Sequence, residues 1–219
     1  MLWVGQFGIA NGEAKEDTPW VGAYTDPGRG EERSDIYILV HPATPGSEEF
    51  CGEMKDAIGA AFHKEKASLT GGVFRALQSA HENLREWNRR SMKEHHVAAG
   101  ITCFATGEEH AYLAQVAPAA AVFHSRGDSQ LIEPRLPDAS EPLGLFDDFH
   151  PEFTAFDLAE GDRLLLLSPD LAAAVPMAEL TAVLMLPEED ALPELYRKAQ
   201  GIENCAALLI SRQPDPVTA

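Results

Sequence analysis

The chain has 219 residues, 45% of them apolar, and sets 17 Lys and Arg against 35 Asp and Glu for a formal net charge of −18. That length and apolar share suit one domain with a sizeable core that needs no disulfide staple. So acidic a surface repels phosphate backbones and anionic lipid, which argues against nucleic acid and membrane surfaces as partners and suits a basic protein partner, metal cations or plain solubility.

The first residues, "MLWVGQFGIANGEAKED", lack a basic start and a long apolar stretch and do not read as a signal peptide. No segment approaches about 18 uninterrupted apolar residues, so no membrane span is expected. Cys51, Cys103 and Cys205 are odd in number, far apart and without a C-x-x-C pair. Cys103 and Cys205 lie in apolar strand-like runs and read as small buried hydrophobes, which fits a reducing cytoplasm.

"IYILV" (36–40) is β-branched and apolar, the pattern of a buried strand, between the loops "DPGRGEER" and "HPATPGSEEF". From Cys51 to Lys93 the period changes. Phe62, Leu69, Val73, Leu77, Ala80 and Leu84 recur at helical spacing, which predicts two helices broken near "TGG" (70–72). The charged face of the second reads as solvated surface, as does His95-His96 beyond it. Four strands are predicted next: "AGITCFAT" (99–106), "HAYLAQV" (110–116), "AAVFHS" (120–125) and "SQLIEP" (129–134), with "TGEE" and "RGD" as hairpin turns. Residues 135–152 read as an acidic, Pro-rich loop. "RLLLLS" then forms a strand, helices start near 171 and 188, and "CAALLIS" (205–211) closes the fold. Helices segregated from antiparallel strands predict an α+β protein, a β-sandwich flanked by helices.

In this order, four stretches resemble the metal-dependent PPM-type, or type 2C, protein serine/threonine phosphatases, and their small bacterial signalling members in particular. "AEGDRLLLLSPDL" resembles the run that ends in Ser-Asp-Gly-Leu. "AGITCFATGEEHAYLAQV" resembles the Gly-Thr-Thr strand and its hairpin. "IENCAALLIS" resembles the closing Asp-Asn-x-Thr strand, and "DIYILVHPATPG" stands where the family has a strand and Asp-Gly-x-Gly-Gly. The resemblance implies an α/β/β/α four-layer sandwich and one phosphatase-like domain over 1–211; the tail at 212–219 reads as flexible from its composition, and the cysteines point to a cytoplasmic location. The resemblance also implies two Mn or Mg ions held by aspartates, with a bridging hydroxide attacking phosphorus.

Position by position, the resemblance places the central metal-bridging aspartate on His41 and its glycine on Pro42. Gly-Asp-Ser falls on Ala117-Pro118-Ala119, and the aspartate of Ser-Asp-Gly on Pro169, with Asp170 displaced by one residue. The last aspartate falls on Glu203, beside a retained Asn204. An early Glu-Asp pair survives as Glu16-Asp17. "GDS" at Gly127-Asp128-Ser129 comes eleven residues late and reads as a turn. The expected residual metal candidates are therefore Asp17, Asp170 and Glu203. His41 offers an imidazole for a softer metal with Glu203 or Asp17, or a structural hydrogen bond. Asp170 is expected to cap the helix that follows Pro169.

Three functions compete. The favoured one is a pseudophosphatase without catalytic residues or cofactor, which binds a protein partner such as a phosphoprotein or a partner-switching regulator. The second is an active Mn- or Mg-dependent phosphatase with an irregular metal site. The third is an unrelated α+β scaffold.

Overall fold

The computed structural model describes residues 1–15, 18–25, 34–64, 68–107, 110–135 and 141–214. Two compact units interleave along the chain: Met1–Thr18, Ala120–Ile132 and Leu158–Ala219 form one, and Pro19–Ala119 with Glu133–Asp157 form the other. Each holds one antiparallel sheet and its own helices, the α+β composition expected from the sequence.

The second unit contains β3 (Val21–Thr25), β4 (Asp35–Pro42), α1 (Glu48–Lys64), α2 (Leu69–Arg90), β5 (Ala99–Thr106), β6 (Ala111–Val116) and β9 (Glu152–Phe156). Its sheet runs β3-β4-β5-β6-β9. In β4, Ile36 to Val40 are all 3% exposed or less, so both faces of this strand are covered and its sequence need not alternate. α1 buries Cys51, Met54, Ile58 and Phe62, and α2 buries Val73, Ala76, Leu77, Ala80 and Leu84, each a stripe at helical spacing.

Between these helices the break differs from the expected one. Thr70, Gly71 and Gly72 lie in the first turn of α2, and Ser68 is its N-cap, its hydroxyl accepting the Gly71 N–H at 3.3 Å. A serine side chain satisfies a free amide of the first turn, so the glycines there start the helix instead of ending it.

Segment 143–149 lies along α2. Leu143 bridges Ala99, the Asn88 amide donates to Val97 O (2.8 Å) and Gly144 O (2.9 Å), and its oxygen accepts the Val97 N–H (2.8 Å). Arg85 pairs with Asp147, and Phe149 packs on Phe74 and His81. His81 is 3% exposed and its Nδ1 accepts the Gly144 N–H at 3.3 Å, a bond that needs the neutral ring. Burial, then the Arg85 charge, hold its pKa below the ordinary 6.5.

A folded-state pKa below the unfolded value gives stability that is present above about 6.5 and lost as pH falls through the folded value. The urea midpoint should therefore drop on mild acidification more in the parent than in His81→Asn, whose amide does not titrate. His124, held down by burial and then by Arg163, acts with the same sign in both proteins, so the difference between them isolates His81.

The first unit contains β1 (Leu2–Ala10), β2 (Glu13–Lys15), β7 (Ala120–Ser125), β8 (Asp128–Ile132), β10 (Arg163–Leu167), α3 (Pro169–Ala174), α4 (Met177–Leu184), α5 (Glu188–Lys198) and β11 (Cys205–Arg212). Its sheet runs β2-β1-β11-β10-β7-β8. Leu165, Leu167, Ala207 and Leu209 form a core with Leu171, Leu180, Val183, Leu184 and Leu195 of the helices. Three helices stand where two were expected: the chain breaks at Pro176, which has no N–H to continue α3 and takes the N-cap of α4, while Pro187 takes the N-cap of α5 and Pro193 is tolerated inside it. The Arg163 guanidinium donates to Leu184 O and Leu186 O, carbonyls that the end of α4 leaves free, and pairs with Glu188.

β11 runs one residue past the expected end of the domain, and Gln213 N–H reaches Met1 O; residues 215–219 of the expected tail lie outside the described residues. All three cysteines are buried and free. No helix among the described residues is long and apolar enough to cross a membrane.

Candidate functional site

In the second unit, β4 ends beside β5 with His41 opposite Gly100 and Pro42 opposite Ala99. β6 ends at Val116, opposite Ile101, and the chain then turns through a cis Ala117–Pro118 peptide back across β5. The approach is so close that a Cβ on Gly100 would stand 1.8 Å from Pro118 O and 2.6 Å from Pro118 C and N. Only glycine fits under that backbone. The structure thus brings His41 and Ala117-Pro118-Ala119 together around Gly100, at one end of one sheet. His41 is half-buried and Ala119 is 6% exposed. These positions supply one imidazole and no carboxylate.

In the first unit, β10 stops at Leu167, as a proline at 169 requires. Ser168 N–H donates to Ala206 O at 3.0 Å, and Ser168 Oγ accepts the Ala206 N–H at 3.4 Å. Ser168 is the N-cap residue of α3 and Pro169 stands in the first turn, so the expectation that Asp170 caps this helix is corrected. Proline is preorganised for the first helical position, where it has no N–H to leave unsatisfied. That moves the cap to Ser168 and leaves Asp170 exposed in the first turn. Asp170→Ala should then cost about 0.3–1 kcal/mol, through loss of a negative charge near a helix N-terminus. Urea denaturation checks this, and a loss near 2 kcal/mol would restore the capping role. Burial, then the Asp170 charge, push the Cys205 thiol up to about 11.

Glu203 is exposed, and its carbonyl accepts the Gly12 N–H at 2.8 Å; Asn204 Oδ1 accepts the Asn11 N–H at 2.9 Å. Both residues therefore fasten the β1–β2 turn, in which Asn11 (φ 55°) and Gly12 (φ 75°) are left-handed. "NG" is the strongest short hairpin signal, and this one turns β1 into β2. "RG" at Arg126-Gly127 (φ 52° and 84°) makes the same kind of turn, and Asp128-Ser129 then opens β8. Glu16 and Asp17 lie outside the described residues.

Two Mn or Mg ions need converging oxygens at about 2.0–2.6 Å. Among the described residues no three His, Cys, Asp or Glu side chains group so as to hold a metal. His41 and 117–119 do not supply the carboxylates that such a centre calls for.

No protein-family model matches this sequence, and no curated protein does. Solved structures match over nearly the whole chain. The serine/threonine phosphatase Stp1 from Staphylococcus aureus has a TM-score of 0.79 at 13% identity, over 98% of this chain and 96% of its own. The S. agalactiae serine/threonine phosphatase has 0.74 at 12%, over 97% and 100%. The Mycobacterium tuberculosis phosphatase PstP/Ppp has 0.71 at 13%, over 97% and 99%. Another solved structure holds the PstP catalytic domain with two manganese ions. The chain has the fold of PPM-type serine/threonine phosphatases. Identities this low carry the fold and leave the chemistry to the residues described above.

Proposed function

We propose that this phosphatase-like domain is a pseudophosphatase, one that keeps the fold, has lost its two-metal site and acts in bacterial signalling by binding a protein, such as a phosphoprotein or a partner-switching regulator. The observation that carries this reading is the residue set at these strand ends: His41, Ala117-Pro118-Ala119 and Pro169 bring one imidazole and no carboxylate where the resemblance calls for aspartates. One lost ligand can be restored by one substitution, whereas losses at several positions cannot. The loss is also spread over a second strand end, at Pro169.

His41→Asp is the test that separates these cases. With Mn present, p-nitrophenyl phosphate or a phosphoserine peptide should be hydrolysed no faster by this variant than by buffer. Metal-stimulated turnover in the variant would mean that only one ligand is missing.

A further inference from the structure

We propose that the C-terminal end of α2 is a docking face for an acidic segment of a protein partner, one that carries an apolar anchor residue. A charged helix face is ordinarily solvated surface, and the side chains of this one are unusual for that. Trp87 is 51% exposed and Met92, two residues past the helix, is 62% exposed. Tryptophan, methionine and arginine are the side chains enriched in protein interfaces, and tryptophan and arginine dominate their binding energy. Trp87 is held in place: its ring meets Phe50 edge-on at 5.1 Å between centroids. A positioned, half-exposed indole loses little freedom on binding.

Charge complementarity names the occupant. The chain as a whole carries −18, so most of its surface repels an acidic partner. The end of α2 runs the other way. Arg89 and Arg90 both reach Glu86, so one carboxylate is shared by two guanidiniums and a positive charge remains in excess; their side chains are 63% and 78% exposed. Lys93 follows. Arginines in a last turn also complement the helix dipole, which accounts for Arg89 and Arg90 but not for the exposed Trp87 and Met92. Arg90 stands three residues from Trp87 on the same face, so one segment can place a carboxylate or phosphate on the guanidinium and an apolar side chain on the indole.

The probe is a fluorescein-labelled peptide of alternating glutamate and leucine, titrated at low salt beside the same peptide with glutamine for glutamate. The acidic peptide should bind at least about tenfold tighter than its neutral counterpart, and Trp87→Ala and Arg90→Glu should each weaken it by at least about tenfold. Met185→Ala, at an equally exposed residue just after α4, should leave it unchanged. Both altered α2 side chains are half-exposed or more, and melting curves check that the variants fold. Equal binding of the two peptides, or binding indifferent to both α2 variants, overturns the proposal. So does a dimer in sedimentation that Trp87→Ala dissolves, since the occupant is then a second copy. The proposal stands apart from the metal site: either can fail alone.

Discussion

Gly100→Ala is expected to destabilise the protein by about 3 kcal/mol or more, the upper end for overpacking a filled site. The added methyl would stand 1.8 Å from Pro118 O, and the atoms it meets are backbone, which cannot swing aside as a side chain does. Either β5 leaves its register opposite His41 and Pro42, or the 117–119 segment lifts away. Urea unfolding measures the loss. A change within about 0.5 kcal/mol, ordinary for a surface position, would mean that the segment does not rest on β5.

Asn88→Leu should cost at least about 3 kcal/mol by a different route. Asn88 is 5% exposed and makes three hydrogen bonds, to both backbone groups of Val97 and to Gly144 O. Leucine keeps the volume and orphans all three partners, each buried polar group left unpaired costing about 1–3 kcal/mol. Segment 143–149 should loosen first, so limited proteolysis should cut within 141–150 faster than in the parent. A variant that lost stability without becoming easier to cut there would show that Asn88 holds only the turn into β5.

What could be read from the sequence follows from where the physics is local. "IYILV", "ITCFA", "YLAQV", "LLLLS" and "AALLI" all lie in or at the end of strands of the two sheets, because a run of buried apolar residues is its own signal. α1 and α2 were legible from periodicity, their junction less so, since Ser68 and "TGG" both look like punctuation. β1 to β3 were missed. The stretch "LWVGQFGIA" is only partly buried, and its partner in the sheet is β11, some two hundred residues away. At the strand ends, motif order placed His41 and 117–119 about Gly100, and a helix start two residues before the expected 171 turns Asp170 from a cap into a first-turn acid. The contact of Pro118 with Gly100 seats the segment after β6 on β5 through backbone, which no side-chain pattern encodes beyond the glycine itself.

Calorimetric titration of the purified domain with Mn, run beside a phosphoserine-peptide assay, tests the central claim most directly. The lost-site account predicts Mn binding no tighter than about millimolar, the weak end of carboxylate sites, and no metal-stimulated turnover. Tight Mn binding with a turnover that Asp17→Asn abolishes, in protein free of contaminating phosphatase, would contradict it.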